Sequence, residues 1–149
     1  MLKHPKALAM LNKSEHVLDF INFTIKPDRV CATVRVTNER WAYTTPEIAE
    51  RLQEEVPHIL NHACLNEVGP TFGAVAQNTS MPHVLEHVVI ALQAQQEPLH
   101  AYGMTYVGKT YWVDRDKRMA CVEVNYVDDF VALESFAKAA ALLDSIVLK

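Results

Sequence analysis

Residues 17–37, VLDFINFTIKPDRVCATVRVT, contain two alternating segments separated by a turn. Residues 17–25 are rich in β-branched and aromatic side chains, and residues 30–37 alternate again, as strands with one buried face do. In the second segment Val30, Ala32, Val34 and Val36 share a face. The intervening KPDR has the chemistry of a turn. The pattern predicts an antiparallel β-hairpin.

The segment after this hairpin carries helix-start signals. Thr44 is the predicted N-cap, Pro46 fits the first turn, and Glu47 completes a capping box with Thr44. Apolar residues then recur at helical spacing. Pro57 is expected to kink this helix, which should end near residues 61–64.

The remaining elements define the fold class. They are a helix from Pro82 to about residue 95, strands at residues 102–107 and 119–126, and a helix over residues 129–148. The order is ββααββα, with strands in hairpins rather than in βαβ units. We therefore expect an α+β fold, with about four antiparallel strands and three main helices on one face of the sheet. The 149 residues fit a single domain over residues 1–149.

The charge distribution and the lengths of the apolar runs argue against two classes of partner. Half of the residues are hydrophobic, 21% are charged, and the formal net charge is -4. A nucleic-acid-binding protein usually has a clustered basic face, which this sequence lacks. No segment approaches 18 uninterrupted apolar residues, and the apolar residues 7–11 are too few for a signal peptide. We expect a cytoplasmic protein with no membrane partner.

The second predicted helix contains the motif HVLEH at residues 83–87. His83 and His87 lie four residues apart, so both imidazoles can reach one ion, and the Glu86 carboxylate points near the same place. This is the H-x-x-E-H arrangement of inverted zinc peptidases. There the histidines bind the metal and the glutamate takes a proton from water. The motif predicts a zinc site with Glu86 as the general base.

A third ligand is expected from the end of the preceding helix. Zinc prefers nitrogen and sulfur ligands, which makes His62 and Cys64 the best candidates. His58 has helical spacing to His62, but beside Pro57 it is expected to be exposed. Glu123, in the strand over residues 119–126, is a further candidate as a ligand or as a substrate contact.

Six segments of the chain form a recognisable set: HAC at 62–64, FG at 72–73, HVLEHVVIALQ at 83–93, YGMT at 102–105, YWV at 111–113 and VEVNY at 122–126. Together they resemble the N-terminal domain of cyanophycin synthetases. The resemblance covers about residues 16–148. Its strongest element is the histidine–glutamate helix.

The resemblance implies a domain that holds an aspartate–arginine polymer and that, in some members, hydrolyses it with the help of a metal. It places the metal on His83 and His87, with a ligand from His62 or Cys64 and with Glu86 as general base. A peptide-like or polymeric, arginine-rich substrate is therefore expected, and the acidic balance suits it. The sequence has no Walker-type loop, so ligase activity is not expected. The sequence does not decide between two further partners, a second copy of the chain and a separately encoded ligase.

Three other interpretations of the histidine helix are open. In the first, His83 and His87 are ordinary helix-face residues that are hydrogen-bonded to polar neighbours. In the second, the chain is a non-catalytic module that binds a polymer or a partner protein. Alternatively, His62 and Cys64 complete a closed structural zinc site with His83 and His87.

Overall fold

The computed structural model describes residues 15–98 and 105–148. Within them the strands are β1 (Leu18–Ile25), β2 (Arg29–Val36), β3 (Gly108–Asp114) and β4 (Met119–Asn125). The α-helices in these ranges are α1 (Pro46–Glu55), α2 (Met81–Gln96) and α3 (Asp129–Val147). The order ββααββα and the α+β class predicted from the sequence are confirmed.

The four strands form one antiparallel sheet in the order β1-β2-β4-β3. The predicted hairpin is present as β1 and β2, with a bulge between Phe20 and Asn22. The predicted apolar face of β2 is fully buried, and α2 and α3 pack on that side of the sheet. The opposite face carries polar residues, including Arg29 and Glu123. The sheet therefore has one face in the core, and β3 forms one of its edges.

Both ends of α1 differ from the prediction. The N-cap is Thr45, whose Oγ1 accepts from Ile48 N at 3.2 Å, whereas Thr44 Oγ1 accepts from Thr79 N at 2.9 Å. The helix ends at Glu55 rather than continuing past Pro57. Proline disfavours helical geometry in the residue before it, and Val56 accordingly has φ -127° and ψ 79°.

After α1 the chain turns sharply at His58, which is exposed, as expected, and has a left-handed backbone with φ 74°. A short 3-10 turn, Ile59–Asn61, then leads into the loop that carries His62 and Cys64. The two side chains thus come from a loop, not from the end of a helix.

The third strand also lies later than predicted. Of residues 102–107, positions 102–104 are outside the described residues, and 105–107 are not in a strand. The amide of Asn125 explains this start, because its Oδ1 accepts from Val107 N at 2.8 Å and its Nδ2 donates to Thr105 O at 3.0 Å. The side chain thus takes the Val107 N–H and the Thr105 carbonyl, one backbone bond from Asn125 N to Val107 O remains, and β3 begins at Gly108.

Over residues 15–98 and 105–148, every helix is too short or too polar to cross a bilayer.

Candidate metal centre

The start of α2 places the HVLEH motif. Ser80 is the N-cap, and its Oγ accepts from His83 N at 3.3 Å. Pro82 lies in the first turn, as the sequence predicted. His83 is therefore in the first turn of α2 and His87 in the second, so both rings reach the same side of the helix.

Three side chains converge on this side of α2. Cys64, His83 and His87 each offer one ligand atom, and these atoms all lie within 4.8 Å of one another. Cys64 Sγ lies 3.3 Å from His83 Nε2. The loop that carries Cys64 is fixed by two backbone hydrogen bonds, from Cys64 N to Pro70 O and from Phe72 N to His62 O. The arrangement can accept one metal ion.

His83 is oriented by Thr79, whose Oγ1 lies 2.8 Å from His83 Nδ1. In metal sites the second ring nitrogen of a ligating histidine usually donates to an oxygen, which fixes the tautomer. A hydrogen bond from Nδ1 to Thr79 leaves Nε2 as the lone-pair nitrogen, directed at Cys64. Thr79 was not identified from the sequence as a partner of His83, although its position four residues before His83 is a usable signal.

His87 is almost fully buried, with 2% of its surface exposed, and its ring stacks on Phe72 at a centroid distance of 4.4 Å. Burial, with further contributions from His83 and His62, lowers the pKa of His87 to about 3. The ring is therefore neutral at physiological pH, as a metal ligand must be. Its Nε2 is buried and has no hydrogen-bond partner among the described residues.

The carboxyl group of Glu86 lies beside this nitrogen, with Oε2 at 3.5 Å from His87 Nε2. Burial raises the pKa of Glu86 to about 7, although a hydrogen bond from Thr110 opposes the shift. Between the pKa values of the two groups both are neutral, so the contact is not an ion pair. Oε1 accepts from Thr110 Oγ1 at 2.7 Å, which leaves Oε2 available.

Residues of β3 hold Glu86 in place. Thr110 supplies the hydroxyl, and Gly108 lies so close that a Cβ there would be 2.5 Å from Glu86 Cγ. Neither residue was identified from the sequence. Both are more than twenty positions away from Glu86, and local spacing carries no signal of the contact.

His62 contacts the cluster from one side. Its Nδ1 lies 3.2 Å from His87 Nδ1, but His62 is not a member of the group of converging ligand atoms. Burial lowers the pKa of His62, and that of His83 as well. Of the two alternatives for a third ligand, the structure thus brings Cys64 into the group and leaves His62 beside it.

Glu123 lies apart from the cluster. Its neighbours in β4, Val122 and Val124, face the core, so Glu123 is on the other face of the sheet. Its Oε1 accepts from Arg29 Nε at 2.7 Å, and this hydrogen bond lowers the pKa of Glu123. Glu123 is therefore not placed to ligate the same ion, and its role as a substrate contact stays a prediction.

A cleft of about 660 Å³ opens beside the cluster. It runs between residues 62–65 and residues 105–108, and Glu86 and His87 line it. A second pocket of about 260 Å³ lies beside His83, and Leu65 lines both. Volumes of this size accommodate several residues of a peptide or a small ligand.

The chemistry of the three donors fits zinc. One sulfur and two neutral imidazoles are the ligand types that zinc prefers, and three protein ligands with one open position are typical of catalytic zinc sites. The buried, unpartnered Nε2 of His87 supports this fit, because such an atom costs free energy unless something binds it. Burial raises the pKa of the Cys64 thiol, so metal binding must displace its proton.

Comparison with known proteins gave one family. The model of the cyanophycin synthase-like N-terminal domain matches residues 32–148. The match covers most of the chain and includes the cluster and the cleft. No significant match was found among curated proteins.

Proposed function

The chain belongs to the family of cyanophycin synthase-like N-terminal domains, and we propose that it is a zinc-dependent hydrolase of amide bonds in a peptide-like or cyanophycin-like substrate. One observation carries the proposal. Cys64, His83 and His87 converge beside the buried carboxyl of Glu86, at the wall of a cleft.

The metal has a limited, defined role in this proposal. Zinc held by Cys64, His83 and His87 supplies Lewis acidity, which polarises a carbonyl and brings the pKa of water towards neutrality. Cys64, His83 and His87 would hold the metal, and the place of His62 outside this group favours a catalytic site over a closed structural one.

Glu86 acts as the proton carrier. Its Oε2 accepts a proton from the attacking water, since Oε1 is held by Thr110. The same carboxyl then donates that proton to the leaving amine, so the amide C–N bond breaks with no net gain of protons by the protein. A pKa of about 7 suits a group that both accepts and returns a proton near neutral pH.

Three neighbouring residues fix the positions of the Glu86 carboxyl and of the two imidazole rings. Phe72 stacks on the His87 ring and lies edge-on to the His83 ring at a centroid distance of 5.2 Å, which packs both imidazoles against an apolar side chain. Thr79 fixes the orientation of His83, and Thr110 that of Glu86. Such fixed geometry is the protein's main contribution to catalysis by a bound metal.

The test combines metal analysis with a substrate screen. Purified wild type, Glu86→Gln and a His83→Ala, His87→Ala double variant are compared for zinc content and for cleavage of aspartate peptides that bear arginine. We expect stoichiometric zinc in the wild type and in Glu86→Gln, turnover in the wild type alone, and neither in the double variant.

A matched control is His58→Asn, which removes an exposed imidazole outside the cluster and keeps a residue that tolerates the left-handed backbone. This variant should retain both zinc and activity. Full activity of Glu86→Gln on a peptide that the wild type cleaves would overturn the mechanism.

The second candidate is a non-catalytic module that binds a polymer or a partner protein. The cleft favours it, because about 660 Å³ lined in part by Leu65, Ile90 and Val107 offers binding space that needs no chemistry. This alternative predicts peptide binding by the wild type without cleavage, and binding that survives removal of the metal.

A further inference from the structure

Strand β3 is a free edge of the sheet and forms one wall of the site. It pairs with β4 alone within the described residues, since the sheet order ends β4-β3. A free edge presents unpaired backbone N–H and C=O groups, which can pair with an added strand. Only those backbone groups of β3 that point away from β4 are free for such pairing.

The register of the β3–β4 ladder shows which backbone groups of β3 point away from β4. Asn125 N donates to Val107 O at 3.2 Å, so the residue at 107 points its carbonyl towards β4. In an antiparallel ladder the direction alternates from residue to residue. Lys109 and Tyr111 therefore direct their backbone groups at β4, while Gly108, Thr110 and Trp112 direct theirs outwards. No partner for these outward groups is found over residues 15–98 and 105–148.

This edge borders both pockets of the site. Residues 105–108 line the cleft that contains Glu86 and His87, and residues 110–112 line the pocket beside His83. Leu65, which is fully exposed, stands across from them and lines both pockets. Because both pockets border β3 and share Leu65, we treat them as one groove between β3 and the loop over residues 62–66, lined by Cys64, Glu86 and His87 in one pocket and by His83 in the other.

We propose that the substrate is an extended peptide main chain that binds in this groove as an added strand paired with the free edge of β3. This inference rests on the proposed function and specifies its substrate class. Residues 108–112 offer about 15 Å of edge, enough for some five residues of a peptide. Pairing supplies main-chain hydrogen bonds, as in other proteins that bind peptides by strand addition. It also lays a backbone amide beside Glu86, because Thr110 and Gly108 contact that side chain.

The test uses backbone N-methylation. A blocked aspartate–arginine hexapeptide is compared with a series in which one amide nitrogen at a time carries a methyl group. Cleavage is followed with the wild type, and binding with zinc-loaded Glu86→Gln, which does not consume the peptide. Strand pairing predicts that methylation weakens binding at every second residue, by roughly threefold to tenfold for each lost hydrogen bond.

The outcomes separate this inference from the proposed function. Cleavage without an alternating pattern overturns strand pairing and leaves the hydrolase intact. Alternating binding without cleavage by the wild type supports strand pairing and overturns the hydrolase. Failure of every peptide in the series to bind overturns strand pairing.

A protein-side comparison uses Trp112→Pro and Trp112→Ala. Both variants lose the indole, but only proline also loses the outward N–H, and proline is tolerated in an edge strand at such a position. We expect Trp112→Pro to bind the hexapeptide roughly threefold to tenfold more weakly than Trp112→Ala. Equal binding by two variants with the same circular dichroism overturns the proposal.

Discussion

Glu86 occupies the space that a side chain at position 108 would need. A Cβ added to Gly108 would lie 2.5 Å from Glu86 Cγ and 2.8 Å from both Cδ and Oε2. Real Cβ atoms essentially never approach other atoms so closely. Strand β3 and helix α2 therefore meet at this point only because residue 108 is glycine, and the position of the carboxyl depends on it.

Replacing Gly108 with alanine should displace the Glu86 carboxyl while leaving the metal ligands in place. Because a misplacement of about 1 Å can cost roughly 100-fold in rate, we expect a loss of that order in kcat. Zinc content should not change. Lys109→Ala, whose side chain lies on the other face of β3, is the matched control and should retain activity. Equal activity of Gly108→Ala and the wild type would contradict the assigned role of Glu86.

Replacing Thr110 with valine removes the hydroxyl that orients Glu86 and keeps the shape of the side chain. A hydrogen bond to a charged group contributes about 1.5–3 kcal/mol, so kcat should fall roughly tenfold to 100-fold. Thr110→Ser, which restores the hydroxyl, should recover most of the activity. If serine and valine at this position are equally impaired, the hydrogen bond is not the cause.

Replacing Thr79 with valine should weaken zinc binding rather than the chemical step. Loss of an oxygen that orients a ligating histidine typically costs about 10-fold to 100-fold in metal affinity. Competition with a chromophoric chelator measures this affinity directly. At saturating zinc the variant should approach the kcat of the wild type, and a kcat that stays low would place Thr79 in another role.

In the metal-free protein the pKa values of His87 and His16 should be shifted in opposite directions from that of a free imidazole. The pKa of His87 is lowered from the ordinary 6.5 to about 3 by burial, whereas a hydrogen bond to Asp144 raises that of His16. Side-chain nitrogen NMR should therefore show a neutral His87 ring at pH 5, where His16 is already protonated. Titration of both rings together near pH 6.5 would contradict the burial of His87.

The same shifts have consequences for stability. The unfolded chain protonates His87 near pH 6.5 and the folded protein only near pH 3, so this group destabilises the fold as the pH falls through that window. Glu86 acts in the opposite sense, because its pKa rises from 4.5 to about 7, and its contribution is lost as the pH rises through that window. In metal-free Glu86→Gln, the loss of unfolding free energy as the pH rises from 4.5 to about 7 should disappear. The loss caused by His87 as the pH falls from 6.5 to about 3 should remain.

Removal of the metal should abolish the hydrolytic activity without unfolding the protein. The core is a continuous cluster of buried apolar residues that joins the sheet to α2 and α3, and we expect it to hold the fold without the metal. Chelation should lower the free energy of unfolding only by the binding contribution, about 2.7 kcal/mol at a metal concentration 100 times Kd. Global loss of circular dichroism on chelation would instead indicate a closed structural zinc site.

The parts of the site that the sequence reveals are those encoded by local spacing. His83, Glu86 and His87 share a helix whose start is marked by Ser80 and Pro82, so their common face follows from helical geometry. Cys64 could be proposed on its chemistry alone. Gly108 and Thr110 could not, since their contacts with Glu86 arise from packing between elements far apart in the sequence.

The errors in the fold have equally specific causes. Pro57 was expected to kink a helix, and instead the helix ends before it, because the residue that precedes a proline avoids helical geometry. The start of β3 was placed too early because Thr105 and Val107 are good strand formers. The Thr105 carbonyl and the Val107 N–H bond instead to the side chain of Asn125, and nothing in the local sequence signals this contact.

Residues 84–89 of α2 are all buried, so Glu86 and His87 belong to the interior of the protein as well as to its site. Buried polar groups can often be exchanged for apolar residues of similar volume with no loss of stability, and sometimes with a gain. Selection for folding alone would therefore not preserve this pair. In lineages that no longer need the chemistry, leucine, methionine or phenylalanine should accumulate at positions 86 and 87 while the rest of the helix stays recognisable. Retention of both residues across descendants would be a record of continued use.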